Sequence, residues 1–525
     1  MTRGIFMEII AFLNDKIIWG APMICAMLFT GVYFSVKSRF FQVRKFGLIL
    51  KSTVFSREKR GENGTSPFQA MCQALAATLG TGNIAGVGSA LAIGGAGAVF
   101  WMWVCAVFGM MTGFAENVLG FLYRKRDKNG NFHGGAMFYI RDGLEKKSAL
   151  KRIAKPLSLV YAGLCLLAGF GMGNAAQMNS AAEALKVGFG LPPIVTGIAL
   201  AALAAVVVFG GVNRIASFSA KIVPIMSGFY IIGSAYILIA NAERLPEIFG
   251  EIFGSAFGVS AVGGGIFGAA VKTAVSMGFK RGAFSNEAGL GTSVFAHTAS
   301  DIKSAKICGM WSVFEVFFDT IVMCGLTAVV LLTSGCGLPD KSAALSGVSE
   351  QTQYFRLDES DRIISQSGSN GEKAICFGVH GERFYAEIPN SAPYSNVMQI
   401  TGISRGGKMV GADIEPVSGA GLASIAFKTQ FGDWAGGVLS VLVAMFAFST
   451  VIGWSYFGSE AARFLFGNHA EKPFLAIFTA FSVVGAAVNM ALTWGIADML
   501  NGLMALPNLF AVFALRKEVI NELKK

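Results

Sequence analysis

Apolar residues gather in long runs along this chain, and short polar segments punctuate them. A helix crossing hydrocarbon needs about 20 predominantly apolar residues. Eleven runs meet that length, at about 17–36, 68–93, 97–123, 157–185, 192–211, 216–240, 262–298, 307–334, 435–458, 473–491 and 494–514. Two of them are irregular. The second holds Gly80-Thr81-Gly82-Asn83 within apolar surroundings, and the seventh is overlong and carries Lys280, Arg281 and Glu287 in its middle. The pattern predicts an all-α polytopic membrane protein with eleven transmembrane helices.

Composition agrees with lipid as the solvent. Charged residues make up 14% of the 525 and hydrophobic ones 53%, with a mean hydropathy of +0.56. Soluble domains carry roughly 25% charged residues. A net charge of +11 would suggest nucleic acid in a soluble protein, but here the charge sits in loops beside spans. The 37–66 loop holds Lys37, Arg39, Arg44, Lys45, Lys51, Arg57, Lys59 and Arg60, and the 123–156 loop is richer still. Basic short loops stay on the cytoplasmic side. With eleven alternating spans, this places the N-terminus outside and the tail ending Lys524-Lys525 inside. The acidic 241–260 loop then faces out. The N-terminus reads poorly as a signal peptide, because Asn14-Asp15-Lys16 interrupts its apolar run. A multi-pass protein of a plasma membrane, in a bacterium the inner membrane, is expected.

Residues 335–434 exceed any ordinary connection. Strand-like runs such as Ala374–Val379 and Arg383–Ile388, separated by turn residues, predict a small β-rich insert on the outer face. Cys336 and Cys376 are its two cysteines, and an oxidising compartment would allow a disulfide between them. Two free thiols are the alternative. The other six cysteines lie in apolar segments without C-x-x-C spacing or a His partner, so no metal centre is expected.

Gly80-Thr81-Gly82-Asn83-Ile84-Ala85 also fits G-x-G-x-x-G/A, the dinucleotide fingerprint. That motif needs a strand before it and an acid about 20 residues on. No β-branched run precedes it and no acid follows before Glu116, so no nucleotide is expected. Unwound backbone is tolerated in a bilayer where it lines a cavity or is covered by protein. The glycines permit such unwinding. Ser276 to Thr292, "SMGFKRGAFSNEAGLGT", is a matching interruption five spans later. Spans 2–6 and 7–11 are therefore candidate five-helix repeats, the second inverted because five is odd. Paired broken spans point to a secondary transporter's binding site. Simple helix packing by small residues is the competing reading.

"LGTGNIAGV" followed by "GGAGAVFWMW", and later "FKRGAFSNEAGLGTS", closely resemble signatures of the alanine/glycine:sodium symporters. Those belong to the amino acid–polyamine–organocation superfamily with the leucine-transporter fold. The resemblance covers the chain except about 336–430. It implies a five-plus-five inverted repeat preceded by one extra helix. The expected divisions are 1–67 (extra helix and basic loop), 68–240 (first repeat), 262–334 with 435–514 (second repeat), 335–434 (insert) and 515–525 (tail).

The resemblance places the substrate between spans 2, 4, 7 and 9. Thr78, Gly80, Thr81, Gly82 and Asn83 would line it at the first break, with Asn83 bridging substrate and cation or merely tying helices together. Gln177 looks like the polar contact from span 4, with Asn174 and Asn179 competing. Ser276, Met277 and Gly278 would face the site from span 7. Ser449 and Thr450 match sodium-binding hydroxyls opposite the carbonyls of Ala76 and Leu79, an all-oxygen set suited to a hard cation. Trp454, one turn beyond Thr450, would close the pocket on a small side chain or serve packing alone.

Acids inside spans are functional candidates by default, here Glu116, Glu183, Glu287, Glu315 and Asp319. Glu287 with Lys280 and Arg281 suggests a gate or ion-pair network in the cytoplasmic half. No nucleophile–base pair and no P-loop occur, and the four histidines are scattered over loops and ends, so no enzyme is expected. The leading expectation is sodium-coupled symport of a small neutral amino acid, alanine or glycine, with Na⁺ as the coupling ion and no cofactor. A proton-coupled symporter or exchanger of the same fold is the first alternative. A membrane receptor is the second.

Overall fold

The computed structural model describes residues 12–56, 65–128, 130–258, 264–334, 419–488 and 490–525, together with six strands between residues 345 and 416. The main helices are α1 (Ala21–Lys37), α2 (Pro67–Thr78), α3 (Ala85–Gly94), α4 (Gly97–Tyr123), α5 (Lys151–Phe189), α6 (Pro193–Val208), α7 (Gly211–Ala240) and α8 (Leu245–Ala256). There follow α9 (Gly264–Asn286), α10 (Ser293–Thr298), α11 (Ala305–Thr333), α12 (Ala420–Phe431), α13 (Trp434–Phe466), α14 (Glu471–Ala487), α15 (Met490–Ala514) and α16 (Arg516–Lys524). Among the described residues, seven helices are long and apolar enough to cross a membrane. The bent pair Pro67–Thr78 and Thr81–Gly94 makes an eighth, and α1 and α6 are shorter apolar helices.

Local chemistry sets the ends of these elements. Ser66 and Gln69 form a reciprocal capping box, with Pro67 at the first helical position, so α2 begins where its free N–H groups are satisfied. Gly190 at φ 68° stops α5. Wide π turns interrupt α5 at Gly171–Ala175 and α11 at Phe317–Cys324. Such turns redirect side chains and are frequent at functional sites.

Burial ranks the helices. In the most apolar windows of α11 and α13, 72% of residues are buried, against 33% in α7. The first two are central and α7 is peripheral. Its exposed Ile225, Phe229, Ile232 and Ile239 form the kind of face that suits lipid.

Two segments differ from the sequence expectation. Residues 245–256, expected within a loop, form amphipathic α8, which buries Ile248, Ile252 and Ala256. Its backbone at Ser255–Ala256 lies 2.6 Å from where a Cβ on Gly97 would stand. Residues 420–431, expected within the β-rich insert, are helix α12, whose Phe427 stacks on Tyr230 of α7.

Besides a short pairing of Lys125–Arg126 (β1) with Phe132–His133 (β2), the strands are β3 (Leu345–Ser349), β4 (Thr352–Arg356), β5 (Ala374–Val379), β6 (Glu382–Glu387), β7 (Val397–Arg405) and β8 (Lys408–Pro416). A four-stranded sheet runs in the order β3-β4-β7-β8, and β5 pairs antiparallel with β6, with Cys376 opposite Tyr385. Cys336, and with it the expected Cys336–Cys376 bridge, lies outside the described residues.

Candidate functional site at two broken helices

The first break turns the chain by 62° between α2 and the helical stretch Thr81–Gly94. The Gly80 N–H donates to Thr78 O at 2.8 Å and to Asn83 Oδ1 at 3.1 Å. It therefore no longer serves the Ala76 carbonyl, its regular helical acceptor. Glycine at this position leaves room for two neighbouring side chains. A Cβ on Gly80 would stand 2.5 Å from Thr450 Oγ1 and 2.8 Å from Gln177 Oε1. The break, α5 and α13 thus meet at one point.

Gln177 Oε1 accepts two hydrogen bonds from Thr81, from its N–H at 3.0 Å and its hydroxyl at 2.9 Å. Gln177 Nε2 is held by Met172 O at 3.1 Å. Asn174 and Asn179 instead donate to the carbonyls of Phe478 and Val488, away from the break. Of the three span-4 candidates, Gln177 alone among the described contacts reaches it. Thr78 turns its hydroxyl back to Ala74 O, and Gly82 faces the ring of Phe284.

Asn83 points the other way, toward α9 and α11. Its Nδ2 lies 2.9 Å from Ser285 Oγ and 2.7 Å from Asp319 Oδ1. Ser285 and Thr320 donate their hydroxyls to Asp319 Oδ2 at 2.6 and 2.8 Å. Asp319 is fully buried, so these donors are what make its carboxylate tolerable in the interior. The sequence singled out Asp319 as an acid in a span but gave no sign of Ser285 or Thr320. Asp319 and Thr320 lie together in the π turn of α11, while Ser285 comes from the end of α9.

The second break is shorter than expected. Helix α9 runs unbroken through Ser276, Met277 and Gly278, so these three do not line an unwound segment. Gly278 packs on α4, where an added Cβ would lie 2.6 Å from Ala98 O, and Met277 packs beside Gly94. Gly278 and Met277 thus serve helix contact. The chain leaves helical geometry at Glu287, with φ 55°, and continues through Gly289 at 97° and Gly291 at 74°. Tyr161 donates to Leu290 O at 2.7 Å, and Asn508 donates to Gly289 O at 2.8 Å and to the Glu116 carboxylate. Those contacts satisfy carbonyls that the break releases.

Glu287 does not pair with Lys280 or Arg281. It swings to α13, where Trp454 Nε1 donates to Glu287 Oε1 at 3.0 Å. The Trp454 ring covers Gly173 on α5, where an added Cβ would come within 2.4 Å. Lys280 and Arg281 converge instead on Asp498 of α15. Lys280 Nζ lies 3.0 Å from Oδ2, and the Arg281 guanidinium reaches both oxygens at 3.3 and 3.4 Å. Phe284 stacks on Trp494 at 4.8 Å beside this cluster. Asp498 was missed from sequence, although a lone acid in "WGIADML" carries the same signal as the acids that were noticed. His297, read as peripheral, is fully buried and lies 2.9 Å from Glu315. Glu183, read as an acid inside a span, is exposed.

Ser449 and Thr450 sit buried on α13, with both hydroxyls bonded to Phe446 O at 2.8 and 3.2 Å. Contact between α13 and α2 is close. A Cβ on Gly453 would stand 2.7–2.9 Å from Ala77 atoms, so the two helices touch at this level. Ala76 and Leu79 are likewise buried at the end of α2. The residues expected to hold a cation, Ser449 and Thr450 with the backbone carbonyls of Ala76 and Leu79, offer oxygen donors only. That chemistry fits a monovalent hard cation.

The sodium:alanine symporter family profile matches residues 4–357 and 399–525. The sodium/alanine symporter AgcS of Methanococcus maripaludis is 33% identical over 522 residues, covering 99% of this chain and 97% of that protein. A transporter of Haemophilus influenzae is 33% identical over 511 residues, covering 97% and 94%. A Bacillus subtilis protein named "Probable sodium/glutamine symporter GlnT" is 29% identical over 526 residues, covering 99% and 91%. The chain belongs to the sodium:alanine symporter family, and it is a multi-pass sodium-coupled amino-acid transporter.

Proposed function

We propose that the protein imports a small neutral amino acid, alanine or glycine, by alternating access in a leucine-transporter-like five-plus-five inverted repeat. In this reading the basic loops and the C-terminus are cytoplasmic and the N-terminus is outside. The observation that carries the reading is the double acceptor position at Gln177 Oε1, held by the N–H and hydroxyl of Thr81 at the start of a half-helix. A substrate carboxylate offers the same acceptor chemistry, and a helix N-terminus favours negative charge there. The carboxylate takes over the Thr81 donors, and Gln177 turns its amide to the ligand.

Sodium is held by the carbonyls of Ala76 and Leu79 with the hydroxyls of Ser449 and Thr450. Its charge offsets the substrate carboxylate across one residue, Gly80. Binding of either ligand thereby favours the other, which is the thermodynamic content of coupling. Selection for a small side chain rests on Trp454 and Gly80, which leave little room between α2, α5 and α13. Equilibrium binding of labelled alanine to the purified protein tests this. Affinity should rise with sodium and not with equal potassium, and sodium-independent binding would refute the reading.

A further inference from the structure

The end of the molecule where α15 passes into α16 carries a cleft of about 440 Å³. Lys147, Arg516 and Lys517 line it together with Leu150, Phe510 and Phe513. Among the described residues, no acidic side chain contributes to the lining. Among the described residues none of the three cations is paired with a carboxylate. Glu518, in the first turn of α16, accepts from Tyr123 Oη at 2.8 Å, and Tyr123 Oη in turn accepts from Lys146 Nζ at 3.1 Å. Arg516 is held in place by Phe513, donating to its carbonyl at 3.0 Å with the guanidinium 4.4 Å from the ring centre.

Position gives this charge a meaning. The membrane-length helices Thr493–Ala514 and Lys151–Phe189 both end at the cleft, so it lies where the chain leaves hydrocarbon. Phe510, on the last turns of α15, is 44% exposed and faces outward beneath the cations. The cleft is therefore cationic at its head and apolar at its floor. In the orientation proposed above, on which this inference rests, it stands on the cytoplasmic side, where anionic lipids attract Lys and Arg.

We propose that this cleft is a binding site for one anionic phospholipid. Lys147, Arg516 and Lys517 hold the phosphate and headgroup, and an acyl chain lies along Phe510 and Phe513. A soluble phosphate has no use for the apolar floor. A zwitterionic lipid brings its own cation to a site that already has three. The bound lipid would join the turn before α5 to the junction of α15 and α16.

The test uses the full-length protein in neutral detergent, titrated with phosphatidylglycerol or phosphatidylcholine. Native mass spectrometry reads retained lipid and thermal unfolding reads stabilisation. Phosphatidylglycerol should be retained and should raise the melting temperature, with phosphatidylcholine much weaker. The triple variant Lys147→Gln/Arg516→Gln/Lys517→Gln should weaken retention by roughly tenfold or more. Lys37→Gln/Lys45→Gln/Lys51→Gln, the same charge change elsewhere, should leave it unchanged. If the cleft triple does not fold, single Lys147→Gln, at the rim, should still show a several-fold loss. Equal retention in the cleft and control variants would overturn the site. Equal stabilisation by inorganic phosphate would overturn the lipid assignment.

Discussion

Trp454 donates its indole N–H to Glu287, the residue at which the second broken helix leaves helical geometry with a left-handed backbone. One hydrogen bond thus joins the break to α13, the helix that also carries Ser449 and Thr450. Replacing Trp454 with Phe keeps a ring of similar shape and removes the donor. The buried carboxylate loses a partner, at a cost of about 1–3 kcal/mol. The melting temperature should fall, and Glu287→Gln, whose amide oxygen still accepts from Trp454, should fall less. Equal stability of parent and Trp454→Phe would show that the bond does not hold the break.

Trp454→Ala addresses selectivity. Removing the ring opens space above Gly173, so leucine and valine should compete better against labelled alanine than they do in the parent. Unchanged inhibition profiles would make Trp454 a packing residue only.

Thr450→Ala addresses the cation. Losing one ligand of a buried ion should cost about 1–3 kcal/mol, read as a roughly 5- to 150-fold rise in the sodium concentration for half-maximal uptake. Thr450→Ser, which retains the hydroxyl, should restore most of the affinity. A folded Thr450→Ala variant with parental sodium dependence would remove the site from this position.

The first break was legible because glycines, Thr81 and Asn83 have no ordinary place in an apolar run. The second was legible only as a region. Ser276, Met277 and Gly278 look as permissive as a break, yet α9 passes through them, and Gly278 and Met277 pack against α4 and α3. The stop falls at Glu287, a residue whose left-handed backbone no composition rule foretells. That single turn also explains the misassigned ion pair. Seven residues separate Lys280 from Glu287, two helical turns on one face, but only while the helix continues. Because α9 ends at Asn286, Glu287 swings to Trp454 and the two cations find Asp498, a partner set by tertiary packing.

Asp498→Ala should leave Lys280 and Arg281 buried without their shared counter-charge. Breaking such a pair costs about 3–5 kcal/mol. The expected result is a loss of thermal stability, partly recovered by adding Lys280→Met, which removes one of the two buried cations that shared Asp498. Parental stability in Asp498→Ala would show that both cations find solvent or other partners.

His133, outside the spans, gives a pH signature. Burial pulls its imidazole down, but the hydrogen bond and charge of Glu460, with Asp127 on the other nitrogen, outweigh burial and the opposing Arg463, so the net shift is upward from 6.5. A raised folded value means that this contribution is fully present below pH 6.5 and is lost as pH rises through the folded value. Stability of the parent should therefore decline across that window relative to His133→Gln. Parallel pH profiles would show that the imidazole is not charged in the fold.

Uptake into proteoliposomes reads out the coupling between sodium and amino acid across Gly80. Labelled alanine should accumulate above its external concentration when sodium is high outside. Accumulation should collapse when the sodium gradient is dissipated at constant pH and membrane potential. Accumulation that persists without a sodium gradient and follows a proton gradient instead would contradict the account.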